Sequence, residues 1–253
     1  ILGNTPPWPY RLLRLFMAMY VFWKGTHFTA NSPYIASKMY RWFGWEIPVI
    51  PNALSDDQFW KGERIPALNE PTFVTINNGF GPRKNVQTLL EAFRSVRDSL
   101  PGAQLQLFGA EYGKGGQAHD WAVSNSLTQG VGFRGKVPHQ DVITAVREAE
   151  ALVHPAREES FGNTLVEAMA QKTPVIAGRE SGAVPWVLDH GNAGVLTDIN
   201  SPEAVAEAML RLVRSKERWR TLSEAGFQRA SEEFRFSVTT DRFVEIYNQL
   251  TAQ

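Results

Sequence analysis

Two glutamates eight residues apart, Glu159 and Glu167, are the side chains whose type and spacing point first to chemistry. A carboxylate accepts two hydrogen bonds from neighbouring hydroxyls, such as those of a ribose or a hexose. The same pair could serve as the two carboxyl groups of a glycosidase, which lie roughly 5 to 10 Å apart. Glutamates at this spacing are also common on solvated helix surfaces, so the spacing alone decides nothing.

The residues between the two glutamates predict a helix that begins near Gly162 or Asn163. The first N–H groups of a helix have no partner within it and carry a partial positive charge. They could bind a diphosphate, and they belong to Asn163, Thr164 and Leu165. An anion site between two carboxylates suits a ligand with a sugar at each end of a diphosphate. That description fits a nucleotide sugar better than it fits a glycosidase substrate.

The elements that must position these residues alternate from residue 72 onward. Short apolar runs alternate with 3.6-residue helical patterns, and glycine, proline or asparagine separates most of them. This alternation predicts an α/β fold with a doubly wound parallel sheet, whose ligands bind at the carboxyl ends of the strands. The predicted strands are residues 72–77, 104–108, 131–134, 151–154, 174–177 and 194–197, and the predicted helices between them are residues 85–99, 117–127, 139–148, 161–171 and 183–190.

The regions on either side of this pattern predict the domain organisation. Helical patterns at residues 202–213, 216–234 and 237–250 end the chain. A strand-helix-strand unit at residues 27–30, 33–43 and 48–50 precedes the pattern, and one such unit cannot form a sheet without partners. We interpret residues 1–50 as the end of an earlier domain, residues 51–71 as a linker, and residues 72–253 as the ligand-binding domain.

Composition excludes several classes of protein. Lysine and arginine total 26 and aspartate and glutamate total 26, so no positive excess favours nucleic acid as a partner. The absence of cysteine excludes disulfide scaffolds, thiolate catalysis and cysteine zinc sites. The five histidines lack metal-ligand spacing, so no metal site is predicted. Among them, His154 ends a predicted strand and is expected to be a packed structural residue.

The block Glu159-Ser-Phe-Gly-Asn-Thr-Leu-Val-Glu167 resembles the E-x7-E motif of retaining glycosyltransferases with the GT-B fold, and most of all glycosyltransferase family 4. The resemblance extends from about residue 27 to residue 250. It implies that residues 72–253 form the Rossmann-like C-terminal domain, with Glu159 on hydroxyls of the donor sugar and Glu167 on the nucleotide ribose. Backbone amides from Phe161 to Leu165, Gly162 included, would line the sugar and the diphosphate.

The turn after the first predicted strand offers a cation. Considered by itself, Lys84 either reaches a phosphate or is a solvated turn residue. The resemblance implies a diphosphate-binding, catalytic lysine at Lys84 and an arginine five or six residues earlier. This chain has Gly79 and Asn78 at those two places, so donor affinity is in question and Arg83 is the candidate substitute.

Two further segments resemble donor-binding parts of the family. Gly135 would allow the nucleotide base to approach the backbone, and Val137 would offer main-chain hydrogen bonds; without the resemblance, Gly135 simply ends a strand. Trp186 stands where the family commonly has a glutamate. The amides before it could still reach a donor sugar or phosphate, and they belong to Ser181, Gly182 and Ala183.

The resemblance implies transfer of a hexose from a nucleoside diphosphate sugar to a hydroxyl of a growing glycan or glycolipid, with retention of configuration, in polysaccharide biosynthesis. It implies no cofactor and no metal. Residues 1–50 would then be the end of the acceptor-side Rossmann-like domain, and this chain alone would be incomplete as an enzyme. Two alternatives stay open, a non-catalytic module that binds nucleotide sugars and a nucleotide-sugar epimerase of related architecture.

Residues 10–23 form an apolar helical pattern with two interpretations. One is peripheral attachment to the inner face of a membrane, where glycolipid acceptors reside. The favoured one is packing against the rest of an N-terminal domain. The longest apolar run, residues 15–23, is about half of the roughly 20 residues needed to cross a bilayer, and the first residues show no export signal. We therefore expect a cytoplasmic protein.

Overall fold

Six parallel strands form the sheet in a computed structural model, which describes Phe16, Tyr20, residues 23–25 and residues 27–251. The order across the sheet is β3-β2-β1-β4-β5-β6. This order, with β1 and β4 adjacent at the centre, is that of a doubly wound sheet. In chain order the strands are β1 Thr72–Ile76, β2 Gln104–Phe108, β3 Val131–Gly135, β4 Ala151–His154, β5 Val175–Gly178 and β6 Val195–Thr197.

Helices cover both faces of this sheet. In chain order they are α1 Pro33–Phe43, α2 Val86–Ser99, α3 Gln117–Ser124, α4 His139–Glu148, α5 Asn163–Ala170, α6 Val184–Val187, α7 Pro202–Val213, α8 Lys216–Glu233 and α9 Phe236–Thr251. One apolar cluster joins the sheet to α2, α3 and α7, and a second joins it to α4, α5, α6 and α8. Neighbouring residues of β1 belong to different clusters, Phe73 to the first and Val74 to the second, because successive side chains of a strand point to opposite faces.

The carboxyl ends of β1 and β4 lie side by side, and this is where the chain changes direction across the sheet. The connection from β1 leads to β2 on one side, while the connection from β4 leads to β5 on the other. The two loops therefore diverge and leave a crevice at this edge, which is the ligand-binding position of open α/β sheets. The loop after β1 carries Lys84 and the loop after β4 carries Glu159.

The predicted fold class is confirmed, and each of the six predicted strands lies within one residue of an observed strand. Three predicted helices are shorter in the structure by more than one residue. The helix predicted for residues 161–171 spans Asn163–Ala170. The helix predicted for residues 117–127 ends at Ser124. The helix predicted for residues 183–190 is the single turn α6 followed by a 3₁₀ turn, because Asp189 and His190 adopt positive φ angles of 47° and 52°. Left-handed backbone cannot continue a right-handed helix.

The N-terminal unit is a helix with one β-bridge. The helix α1 has the predicted bounds, and the hydroxyl of Ser32 caps it by accepting a hydrogen bond from the amide of Ile35 at 3.3 Å. The strands predicted for residues 27–30 and 48–50 are reduced to one parallel bridge between Ala30 and Val49. Of the pattern at residues 10–23, only Phe16, Tyr20 and Trp23 are among the described residues. None of the described helices is both long and apolar enough to cross a membrane.

The segment predicted as a linker is hydrogen-bonded to the sheet domain. The amide of Leu54 donates to the carbonyl of Phe234 at 2.8 Å, and the amide of Phe236 donates to the carbonyl of Leu54 at 2.9 Å. Phe59 is buried in the second apolar cluster, and the amide of Trp60 donates to Ala170 at 2.9 Å. Residues 51–60 thus pack on the domain at the junction of α8 and α9. The domain boundaries stay a prediction.

Candidate functional site

Two of the predicted site residues contact each other at the central edge of the sheet. The Nζ of Lys84 lies 3.3 Å from Oε1 of Glu159, although the two residues are 75 positions apart. Each side chain has only 19% of its surface exposed, so the pair is largely shielded from solvent. A partly buried pair of this kind is screened less by salt than a surface pair. The contact places one cation and one anion at the position where an open α/β sheet binds ligands.

His154 adds a third polar group to this pair. It ends β4 with 2% of its surface exposed, and its Nε2 lies 3.3 Å from the same Oε1 of Glu159. Burial by itself raises the pKa of Glu159, but His154 and Lys84 outweigh it and lower that pKa from 4.5 to about 2. Glu159 is therefore a carboxylate at neutral pH. His154 is packed, as predicted, but its contact with Glu159 was not predicted.

The backbone around Glu159 is held by the loop after β5. The amide of Ala183 donates to the carbonyl of Glu159 at 2.9 Å. Gly182 has a φ of +66°, and a Cβ at this position would lie 2.3 Å from that carbonyl oxygen. Only glycine fits so close an approach. The amides of Ser181 and Gly182 donate to the carbonyls of Gly178 and Glu180, at 3.3 and 3.0 Å. The three amides expected to reach a donor are thus hydrogen-bonded within the protein.

The start of α5 has free amides, as an anion site needs. Gly162 precedes the helix with a φ of +94°, so the helix begins at Asn163, as predicted from the residues between the glutamates and two residues after the start predicted from apolar spacing. The amide of Leu165 donates to the carbonyl of Gly162 at 2.9 Å. The amides of Asn163 and Thr164 have no acceptor among the described residues. Two of the three amides predicted for the diphosphate are therefore available.

Phe161 and Trp186 belong to the core. The Phe161 side chain is 2% exposed, and its ring centroid lies 6.2 Å from that of Trp186 and 5.4 Å from that of Phe234. The ring of Trp186 also lies 5.6 Å from Phe234 in an edge-on arrangement. The tryptophan at the place of the family glutamate therefore packs in an aromatic cluster. Phe161 can serve a ligand through its backbone alone.

Glu167 lies apart from the Lys84 pair and contacts a different element. Its Oε1 lies 3.1 Å from Nε2 of His139, the first residue of α4. The Glu167 side chain is 17% exposed, whereas that of His139 is 57% exposed. Since α4 follows the segment with Gly135 and Val137, this contact ties the predicted ribose residue to the predicted base segment. The contact of His139 with Glu167 was not predicted, because a histidine at the start of a helix can have many roles.

The segment with Gly135 and Val137, which was predicted to receive the nucleotide base, packs against other parts of the protein. Gly135 has a φ of +67°, and a Cβ there would lie 3.1 Å from the Cα of Gly113. The close approach that glycine permits at this position is thus made by another backbone segment. Val137 is half-buried against the second apolar cluster. The binding of a nucleotide base at Gly135 and Val137 stays a prediction.

The turn after β1 is hydrogen-bonded through Asn78 and Gly79 to the loop after β2. Gly79, with a φ of +85°, donates to the carbonyl of Ala110 at 3.2 Å and accepts from the Tyr112 hydroxyl at 2.9 Å. The Asn78 side chain accepts from the amide of Ala110 at 2.9 Å. The two residues at the place of the family arginine therefore connect the turn to the next loop and supply no charge. The Arg83 side chain is exposed and makes no hydrogen bond with the described residues.

Arg157 connects the loop of Glu159 to the turn of Lys84. Its Nη1 donates to the carbonyl of Pro82 and its backbone amide to that of Arg83, both at 2.9 Å. Its Nε donates to the Asn200 side chain at 2.8 Å. These bonds hold the two loops against each other within three residues of the Lys84–Glu159 contact. Sequence reasoning missed this role, because the acceptors are main-chain carbonyls that no motif records.

Glu158 ties the same loop to the N-terminal unit. Its Oε1 accepts from the Tyr34 hydroxyl at 2.7 Å and from the Lys38 ammonium at 2.6 Å, both on α1. The hydrogen bonds to Lys38 and Tyr34 lower the pKa of Glu158.

Within residues 27–251 and the few described before them, no three acidic or histidine side chains cluster as metal ligands would.

The sheet order is that of a Rossmann-type domain, and domains of this type bind their ligands at the sheet edge where β1 and β4 lie side by side. The family described as "Glycosyl transferases group 1" matches residues 58–229, more than half of the chain. The chain therefore belongs to the glycosyl transferases group 1.

Two proteins of similar sequence are described as a glycosyltransferase and a mannosyltransferase. An uncharacterised glycosyltransferase of Methanocaldococcus jannaschii is 30% identical over 172 residues, which are 68% of this chain and 46% of the relative. The phosphatidyl-myo-inositol mannosyltransferase of Mycobacterium leprae is 28% identical over 202 residues, which are 78% of this chain and 52% of the relative. This chain thus spans about half the length of these curated relatives.

The fold is also that of solved glycosyltransferases of the GT-B type. The Anabaena protein HepE, solved in complex with UDP and glucose, superposes with a TM-score of 0.75. The match covers 89% of this chain and 64% of HepE at 19% identity. At that identity the likeness establishes the fold alone.

Proposed function

We propose that this chain is the donor-binding half of a retaining hexosyltransferase of glycosyltransferase family 4, with Glu159 and Glu167 as its E-x7-E motif. The whole protein would transfer a hexose from a nucleoside diphosphate sugar to a hydroxyl of a glycan or glycolipid. The contact between Lys84 and Glu159 at the switch point of the sheet carries this proposal. The contact supports the proposal because a cation that could bind a diphosphate lies beside a carboxylate that could accept sugar hydroxyls.

Lys84 is assigned to the leaving diphosphate. When the bond from the sugar to the diphosphate breaks, negative charge develops on the β-phosphate oxygen. A fixed cation and oriented N–H groups stabilise such charge strongly in a shielded site. Lys84 and the free amides of Asn163 and Thr164 are the groups that would do so here. The reaction proposed is therefore independent of metal and of any cofactor.

The two glutamates are assigned to opposite ends of the donor. Glu159 is ionised and shielded, as a group that accepts hydroxyls of the hexose should be. Glu167 would accept the ribose hydroxyls, and the base would lie against Gly135 and Val137. Binding of UDP and glucose by HepE and the mannosyltransferase description of the mycobacterial relative agree with a hexose donor.

The acceptor would be a glycan or a lipid-linked sugar, bound by the N-terminal half of the whole protein. We assign the protein to the cytoplasm, with peripheral contact at the inner face of the membrane. The description of the mycobacterial relative, which names an inositol phospholipid, agrees with a lipid-linked acceptor.

Calorimetric titration of this chain with UDP, GDP and ADP tests the proposal. We expect one of the three to bind, and Glu167→Ala to weaken its binding by about 1.5 to 3 kcal/mol, since a charged hydrogen-bond acceptor is lost. Glu207→Ala is the matched control, because that glutamate lies on α7 with its side chain 67% exposed. Binding of none of the three, or an unchanged affinity in Glu167→Ala, would contradict the assignment.

The stereochemistry needs the whole protein. Proton NMR of the product formed from an α-linked sugar nucleotide would show an α-glycoside if configuration is retained. A β-glycoside would contradict retention and leave donor binding unaffected. Release of an altered sugar without an acceptor would instead identify the epimerase.

A further inference from the structure

His154 is a buried histidine whose ring lacks a well-directed hydrogen bond to the part of the chain that the structure describes. It is 2% exposed, and neither of its ring nitrogens makes a well-directed hydrogen bond with the described residues. Its Nε2 nevertheless lies 3.3 Å from Oε1 of Glu159, an ion-pair distance. Burying a polar ring without hydrogen bonds costs stability, and an apolar side chain would fill the place at lower cost. The retained imidazole therefore indicates a role at Glu159.

The contacts of Glu159 are asymmetric. Lys84 and His154 both lie 3.3 Å from Oε1. Oε2 accepts no hydrogen bond from the described residues. A carboxylate that is held through one oxygen presents the other in a defined direction. The two partners thus act on one oxygen and leave the second for a ligand.

Lys84 cannot hold Glu159 alone once a donor binds. In the proposed function its ammonium group turns toward the diphosphate, which carries more negative charge than one carboxylate. His154 sits at the end of a central strand, in the core between β1 and β5, and no competing partner for it is found among the described residues. Its Nε2 is therefore the contact that stays with Oε1.

We propose that His154 is a positioning residue for Glu159. It holds Oε1 inward, so that Oε2 accepts hydroxyls of the donor sugar. His154 itself touches no part of the ligand. The identity of that ligand rests on the proposed function, whereas the contact between the two side chains does not.

The contact is tested without any ligand, by ¹⁵N NMR of the histidine rings in this chain. We expect Glu159→Gln to shift the ring nitrogen resonances of His154 by several ppm and to leave those of His139 in place. Glu167→Gln is the matched control and should do the reverse, since Glu167 contacts His139. If Glu159→Gln left the His154 resonances unchanged, the proposal would be overturned.

The positioning role is tested by comparing UDP-glucose with UDP, and GDP-mannose with GDP, by calorimetry. Positioning predicts that His154→Leu lowers the preference for the sugar nucleotide at least fivefold while the affinity for the nucleoside diphosphate changes less than twofold. His154→Gln, whose amide reaches about as far as Nε2, should restore at least half of the preference. If His154→Leu does not fold, His154→Asn replaces it, because its amide is too short to reach Oε1.

An equal loss for both ligands in every variant, or an unchanged preference in His154→Leu, would show a purely structural histidine and overturn the proposal. A wild-type chain that binds none of these nucleotides would contradict the proposed function and, with it, the sugar-positioning role. In that case the NMR result still reports on the contact, so the two failures are distinguishable.

Discussion

The two glutamates of the site have the same side chain and opposite surroundings. Glu159 has two partners, a lysine and a buried histidine, each 3.3 Å from one oxygen. Glu167 has one, His139, whose side chain is 57% exposed. The glutamates themselves are shielded alike, at 19% and 17% exposure. The difference therefore lies in the partners and not in the burial of the carboxylates.

This difference suggests how each end of the site works. His154 is buried and cannot move away from Glu159 without leaving an unpaired group, so Glu159 is set in place before a ligand arrives. An exposed histidine can turn into solvent at little cost, so Glu167 can exchange it for a ribose hydroxyl. The hexose end of the site is thus preorganised and the ribose end is adaptable.

The largest effect should appear in the acid stability of the fold. The pKa of Glu159 is about 2 when folded and near 4.5 when unfolded, so the ionised group stabilises the protein above pH 4.5. This stabilisation, about 3 kcal/mol, is lost as the pH falls from 4.5 toward 2. Urea unfolding at pH 7, 5, 4 and 3 should show a shallower loss in Glu159→Gln than in wild type. The exposed control Glu207→Gln should follow wild type; equal slopes for Glu159→Gln and wild type would refute the depressed pKa.

Removal of Lys84 tests the preorganised end by ligand binding. Lys84→Met should weaken nucleoside diphosphate binding by about 1.5 to 3 kcal/mol, roughly ten- to hundredfold in Kd, because a charged contact is lost. The control is Lys172→Met, since Lys172 also lies 3.3 Å from a glutamate, Glu224, and is 17% exposed. If calorimetry gave equal losses of nucleoside diphosphate affinity for the two variants, the assignment of Lys84 to the diphosphate would be contradicted.

Gly182 tests the backbone that supports Glu159. Gly182→Ala should lower the free energy of unfolding by about 2 kcal/mol, from left-handed backbone strain and from the clash with the Glu159 carbonyl. Gly44→Ala separates the two causes, because Gly44 has a φ of +69° and open space around its Cβ position. Urea denaturation should show the larger loss at Gly182. A similar loss at both would leave strain as the only cause.

The smallest effect belongs to the adaptable end. His139→Ala should change nucleotide affinity and stability by less than about 1 kcal/mol, since contacts made by a side chain that is largely exposed contribute little. Calorimetry and urea unfolding measure both quantities. A loss of nucleotide affinity as large as that of Lys84→Met would contradict the contrast between the preorganised end at Glu159 and the adaptable end at Glu167.

Much of the fold follows from local patterns. The six strands were predicted within one residue because most of them are short apolar runs bounded by turn residues, and the central strands β1, β4 and β5 are buried on both faces. The first residues of the helices were predicted less accurately than the strands, since they depend on single backbone angles such as that of Gly162. The helix predicted through His190 failed for the same reason, because periodicity does not record two left-handed residues.

Residue patterns alone were enough to predict the α/β class, the edge of the sheet at which ligands of such folds bind, and the location there of Lys84 and Glu159, because strand ends and chain order follow from local periodicity. The folded chain was needed to show that Lys84 and His154 share one oxygen of Glu159, that His139 contacts Glu167, and that the amides of residues 181–183 are already hydrogen-bonded. These contacts join residues that are distant along the chain, or they depend on a single backbone dihedral angle. The spacing of residues in the sequence reveals neither the long-range contacts nor that angle.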